Sequence, residues 1–341
     1  MRAGFGQGLG VLCVLGALIV TFDQLSPYFL TSSNFFSNMG AQDAELGIIA
    51  LGMAIVIASG GIDLSVGAIL GLSAVVLGAA YDHGVPLVPG VVICLAVALA
   101  CGLANGMLVV LLRLHPLLVT LGTLALYRGL ALGVSNGGAF SVFPSGFDGI
   151  GGSFFAGELP AQLIPWGVVA VIVFVLCAKT SVGRKLVAVG VNETAAALSG
   201  VRVGWARLAV YGTSGLLSGV AAVIYTSRVF SARGDAGGGL ELLAIAAVVV
   251  GGATIHGGEI SVVRTTLGVI LIGVIPNGFV LAGIDTSWQY VAIGLVMISA
   301  VLLNELLAGH GLSLLRRLRR ELLRQEDYES LEPGLEQQPG G

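Results

Sequence analysis

The sequence predicts an all-α polytopic membrane protein of about ten transmembrane helices, with broken or short helices near Gly60-Gly61. Three observations predict it. Of 341 residues, 56% are hydrophobic and only 10% are charged, whereas soluble domains carry about 25% charged residues. The mean hydropathy is +0.97. Apolar runs of about 20 residues, the length that crosses a bilayer, recur along the chain. The 53 glycines suit close helix packing in lipid, where small residues let backbones approach. The net charge of −3 gives no sign of nucleic-acid binding.

The first run, residues 7–23, leads into Asp23-Gln24-Leu25-Ser26-Pro27-Tyr28. It lacks the small-residue site of a cleaved signal peptide and reads as a retained helix. Runs 43–59 and 63–81 are short and meet at Gly60-Gly61. Two spans with a tight turn and a pair of broken half-helices both fit. The remaining runs are 88–112, 116–135, 161–178, 206–227, 240–256, 264–283 and 287–307.

Orientation follows from Lys and Arg, which favour the cytoplasmic side. With the N-terminus inside, all but Arg128, Arg228 and Arg233 of the 16 basic residues fall there. The loop from Ser135 to Pro160 has no Lys or Arg and belongs outside. There it caps the cavity, meets a delivery protein, or simply connects two spans. The largest inner loop, 179–207, contains a short helix-forming stretch, Asn192 to Gly200, with a C-capping Gly at its end. Residues 311–324 form a basic amphipathic helix on the anionic inner leaflet. Residues 325–341 form a disordered acidic tail. The transmembrane domain is thus residues 1–310.

Asp63 stands out. It lies in Gly60-Gly61-Ile62-Asp63-Leu64-Ser65-Val66-Gly67, between the uncharged apolar stretches Leu46–Ala58 and Ala68–Ala80. A carboxylate at the bilayer centre costs about 2.5–3.5 kcal/mol on insertion scales. A glycine break frees backbone groups, which membranes tolerate only where protein or a cavity covers them. Asp63 therefore caps a helix start, lines or gates a path, or touches cargo. Gly60, Gly61 and Gly67 make the break. A short echo, Gly257-Gly258-Glu259-Ile260-Ser261-Val262, follows a later apolar run. Arg128 and Glu241 are further charges in or near spans.

Other chemistry is missing. There is no Gly-x-x-x-x-Gly-Lys-Ser/Thr, so the chain does not cradle nucleotide phosphates in that manner. No His-Glu-x-x-His or Gly-x-Ser-x-Gly occurs. Cys13, Cys94, Cys101 and Cys177 lie in apolar runs without metal-ligand spacing. No catalytic or metal site is expected, and an enzyme is the least favoured class.

Several strings together resemble the inner-membrane permeases of ribose/xylose/galactose-type sugar ABC importers. They are Gly60 to Gly67; His115-Pro116-Leu117-Leu118-Val119-Thr120-Leu121-Gly122-Thr123 with Tyr127-Arg128-Gly129-Leu130; Val189 to Gly200; Glu241 to Gly252; and Asn277-Gly278 with Gln289. The resemblance runs from about Leu25 to Leu307. It implies a multi-pass protein of a bacterial cytoplasmic membrane that binds no cofactor. ATP and Mg would be used by a separate cytoplasmic ATPase. It further implies a second permease subunit, identical or a sister chain, and an extracytoplasmic sugar-binding protein. A short inner helix would dock into the ATPase through Gly190, Asn192, Glu193, Ala195, Ala196, Ser199 and Gly200. The chain departs from the family pattern at Leu243, where an acidic residue is usual, and around Glu259-Ile260-Ser261 and Arg264-Thr265.

The expected function is ATP-driven import of a monosaccharide, ribose-like or related. Asp63, Ser65, Asn105, Thr120, Thr123, Asn136 and Asn277 would border the path. The rivals are a nucleoside or branched-chain amino-acid ABC permease, and an ion-coupled secondary transporter using Asp63.

Overall fold

The computed structural model describes residues 2–155, 159–254, 257–285 and 287–307. The expected amphipathic helix 311–324 and tail 325–341 lie outside the described residues. The long helices are α1 (Arg2–Leu25), α2 (Gly40–Ala58), α3 (Val66–Asp82), α4 (Leu87–Leu111) and α5 (Pro116–Val134). After a four-residue helix, α6 (Asp148–Gly151), come α7 (Leu163–Phe174), α8 (Ser181–Val191) and α9 (Glu193–Leu198). The last described helices are α10 (Val203–Val229), α11 (Leu240–Val250), α12 (Val262–Leu281) and α13 (Trp288–Leu307).

Among the described residues, five segments are long and apolar enough to span a bilayer: Ser33–Ala58, Leu87–Leu111, Pro116–Val134, Val203–Val229 and Val262–Leu281. The pair Leu163–Lys179 and Ser181–Val191 is together apolar and long enough as well, but it is bent by 72° at its break. Four shorter apolar helices lie in α1, α3, α11 and α13. The chain is an all-α polytopic membrane protein, as the sequence predicts.

Among the described residues, strands are confined to two-residue pairs. β1 (Ala139–Phe140) pairs antiparallel with β4 (Ala232–Arg233), and β2 (Phe154–Phe155) with β3 (Leu159–Pro160). They belong to the loops at one end of the bundle, where Tyr81, Phe143, Phe147 and Phe230 also cluster.

The second span is the core. Its most apolar stretch is 94% buried, against 28% for α4 and for α5, so those two present most of their surface outward. Helix α10 packs along α4 at glycines. A methyl at Gly102 would lie 2.2 Å from the Tyr211 carbonyl, and one at Gly215 2.4 Å from that of Ala98. Without side chains there, the two backbones meet directly.

Two spans are shorter in helix than expected. In 161–178, the α-helix gives way to a π-helical stretch, Val175–Lys179, before the bend. In 240–256, helix α11 covers only 11 residues, about 16 Å of rise. Above it the chain is irregular and descends along α3. A methyl at Gly78 would meet Ala232, one at Gly71 would meet the Ala236 carbonyl, and one at Gly67 would meet that of Gly237. Three successive glycines, residues 237–239, do not support a helix there.

Candidate functional site

The linker between α2 and α3 is non-helical backbone inside an apolar bundle, so its polar groups need partners. One network supplies them. The Ser65 N–H and hydroxyl donate to Asp63 Oδ1 at 3.0 and 2.6 Å. The Ser214 hydroxyl on α10 donates to Oδ2 at 2.9 Å. The Asn105 amide on α4 donates to the Ser65 oxygen at 2.8 Å. The Tyr127 hydroxyl on α5 lies 3.1 Å from Asn105 Oδ1 and 3.0 Å from the Cys101 carbonyl. The Thr120 hydroxyl is shared between the Ile62 carbonyl at 3.2 Å and the Pro116 carbonyl at 3.0 Å.

Asp63, Ser65, Asn105 and Thr120 have no exposed surface. The network fastens the start of α3 to α4, α5 and α10. Asp63 accepts three hydrogen bonds from neutral donors, which hold a carboxylate in place without a counter-ion. Among the described residues, no three His, Cys, Asp or Glu side chains stand together as a metal site.

The other expected path residues lie apart. Thr123 is buried one turn along α5. Asn136 sits just beyond the far end of α5 with φ of 49°, a left-handed position that Asn tolerates after a helix. Asn277 on α12 exchanges two hydrogen bonds of 2.9 Å with Asn34. At the break, Gly60 has φ of 82°, which favours glycine. A methyl at Gly61 would lie 2.6 Å from the Tyr211 hydroxyl.

At the α8–α9 end, each short helix is capped. The Thr180 side chain accepts the Val182 N–H at 3.1 Å, and Asn192 Oδ1 accepts that of Ala195 at 2.9 Å. Helix α9 ends as its sequence predicts. Gly200 has φ of 84°, while the Gly200 and Val201 N–H groups donate to the Ala197 and Ala196 carbonyls. Asn192, Glu193, Ala195, Ser199 and Gly200 are exposed, and Glu193 pairs with Arg207 at 2.6 Å. Ala196 is buried, and Gly190 faces inward.

Gly190 meets the end of α2. A methyl there would lie 2.0 Å from the Ala58 oxygen and 2.7 Å from Gly258 N. The Gly258 N–H donates to that same oxygen at 2.9 Å. A methyl on Gly257 would lie 2.8 Å from Gly60 N. The two echoing sequences therefore touch, and Ser65 and Ser261 each stand just before a helix. Helix α8, the α2–α3 break and the α11–α12 link converge at one carbonyl.

The irregular segment above α11 has its own clamp. Arg128 on α5 donates to the Gly234 carbonyl at 2.7 Å and the Ala236 carbonyl at 2.6 Å. Beside it, Gly238 and Gly239 are exposed, and Glu241 Oε1 accepts the Gly239 N–H at 3.2 Å.

Sequence reasoning passed over two carboxylates in the second span. Glu45 is held by Arg228 through bonds of 2.8 and 2.9 Å. Asp43 is buried against Gly273 and lines a cleft of about 140 Å³ with Gln42 and Asn277. Their signal was present, because an ionisable residue inside a span marks function by default. Ser214 and Tyr211 gave none, since small and aromatic residues are ordinary in an apolar helix.

Among the described residues, apolar helices of span and near-span length surround a buried polar break, with short capped helices at one end, which defines a polytopic membrane protein. A family model described as "Branched-chain amino acid transport system / permease component" matches residues 36–301, and the chain belongs to that family. It is 39% identical to the ribose import permease protein RbsC of Bacillus subtilis (strain 168) over 303 residues, 88% of this chain and 94% of that protein. It is 35% identical to the autoinducer 2 import system permease protein LsrD of Escherichia coli (strain K12) over 333 residues, 95% of this chain and 97% of that one. No solved structure matches. The resemblance to sugar ABC importer permeases drawn from the motifs is borne out.

Proposed function

We propose that this chain is the membrane-spanning subunit of an ATP-driven importer that carries a monosaccharide, ribose-like or related, into a bacterial cell across the cytoplasmic membrane. Two such subunits, identical or sister chains, form the path. A separate cytoplasmic ATPase binds ATP and Mg, and an extracytoplasmic sugar-binding protein delivers the cargo. The similarity to a ribose permease supports the cargo class.

The observation that carries this reading is the junction of Gly190, Ala58 and Gly258. Helix α9 offers Asn192, Glu193, Ala195 and Ser199 to an ATPase on the cytoplasmic side. Its neighbour α8 carries Gly190, which rests on the end of the most buried span. Movement of the α8–α9 unit is thereby passed to the α2–α3 break and the α11–α12 link together. Asp63 and Ser65 act as the anchor about which those helices turn.

The path follows the irregular segment above α11. Exposed irregular backbone at membrane depth is tolerated only where it lines a water-filled cavity or is covered by protein. Gly238 and Gly239 are exposed and non-helical, next to Gly237, which packs on the start of α3; in this reading they face the path or the second subunit. The sugar meets weakly binding backbone and small side chains there, which allow release.

Co-expression with candidate ATPase and binding-protein genes tests the proposal. Capture of an ATPase through a tag on this chain is expected, with hydrolysis in lipid stimulated by the sugar-loaded binding protein. Uptake without any ATPase, abolished by an uncoupler, would overturn it in favour of ion coupling at Asp63.

A further inference from the structure

A groove of about 520 Å³ opens at the α8–α9 end of the bundle, and none of the residues of the polar network lines it. It lies in the angle where the chain bends by 72° between α7 and α8. Ile55 and Val210 form its floor, and Leu176, Val182 and Leu186 form one wall. Lys185 and Arg202 stand at its mouth, with Trp205 on the rim. Its volume falls within the range of about 300–1,000 Å³ typical of pockets for sizeable small molecules.

The groove is open to the bilayer. Val171, Ile172, Val175 and Leu176 on the adjoining span are exposed and apolar, so that flank faces acyl chains. Trp205 is 69% exposed, as suits an indole at the level of lipid headgroups. Lys185 and Arg202 are exposed, and among the described residues neither has an acidic partner. An apolar slot crowned by two unpaired cations calls for an elongated apolar body with an anionic head. Basic pockets between spans on the cytoplasmic side bind anionic lipid headgroups.

We propose that this groove holds one acyl chain of an anionic phospholipid from the inner leaflet, with the phosphate between Lys185 and Arg202. The lipid fills the angle under α8 and braces the α8–α9 unit against α10. The site is separate from the sugar path and does not depend on the cargo.

The test uses the full chain in phosphatidylcholine vesicles doped with a minor fraction of lipid carrying brominated acyl chains, which quench nearby tryptophan. The Trp205 signal is the difference between the native chain and Trp205→Phe. Brominated phosphatidylglycerol is expected to quench it more strongly than brominated phosphatidylcholine at equal fraction. Lys185→Gln with Arg202→Gln should erase that preference, by roughly fivefold in relative affinity for each cation removed. Arg202→Lys keeps the charge and should keep the preference, which separates loss of lipid from loss of fold. Ala206→Leu should lower quenching by narrowing the slot with both cations intact.

Equal quenching by the two lipids in the native chain would overturn the proposal. So would a preference that survives the double substitution. Loss of ATPase capture in the double variant, with lipid preference unchanged, would assign the two cations to the ATPase instead.

Discussion

Gly190 lies directly against the carbonyl of Ala58, so close that a methyl group on the glycine would sit 2.0 Å from the oxygen. No side chain fits between an inner-loop helix and the end of the central span. The contact is backbone on backbone, and such contacts transmit displacement because there is no side chain to yield.

Gly190→Ala should therefore force α8 away from α2. Overpacking of this kind costs about 1–3 kcal/mol. The expected outcome is a subunit that still reaches the membrane and still captures the ATPase, with sugar-stimulated hydrolysis and uptake largely lost. Transport at the native rate would remove this junction from the coupling route.

Asp63 is satisfied by Ser65 and Ser214, so its removal should weaken the fold. Asp63→Ala strands three buried donors, each unsatisfied group costing about 1–3 kcal/mol. Ser214→Ala strands one acceptor and should do less. Thermal inactivation in detergent, followed by size-exclusion chromatography, orders the two. An Asp63→Ala protein as heat-stable as the native one, yet unable to transport, would place the carboxylate on the path itself.

Glu45 and Arg228 form a two-bond pair in which the acid is buried and the Arg side chain retains 27% exposure. Breaking a buried pair from one side leaves an uncompensated charge, at a cost of about 3–5 kcal/mol in fully buried cases. Glu45→Gln alone should destabilise by somewhat less than that, since Arg228 reaches solvent. Combining it with Arg228→Gln should recover part of the loss. A double-mutant cycle on melting in detergent reads the coupling, and strictly additive losses would deny it.

Arg128 holds two carbonyls of the irregular segment, and a lysine ammonium does not reproduce that planar fork. Arg128→Lys should loosen residues 232–239 and lower uptake more than it lowers stability. In a cysteine-free background, Gly238→Cys should be labelled by a membrane-impermeant thiol reagent added from outside, and transported sugar should slow that labelling. A Gly238→Cys that reacts only with lipid-soluble reagents would put the segment against the bilayer.

The sequence by itself determined the class, most helix boundaries and the C-cap at Gly200. Apolar runs of span length admit only helices in lipid. Gly200 acts within a few residues of itself, so its role at the end of α9 is local and legible. The glycine break at Gly60 was legible for the same reason. What faces what was not. Ser214 reaches Asp63 across 151 residues and Asn277 meets Asn34 across 243. Helices apolar on every side carry no polar stripe to say which neighbour each face meets. Only the packing of backbones at Gly102, Gly190 and Gly215 decided that. The approach to α11 was half legible, because the three glycines at 237–239 oppose a helix, whereas its clamp, Arg128 from a distant helix on the Gly234 and Ala236 carbonyls, carried no local signal.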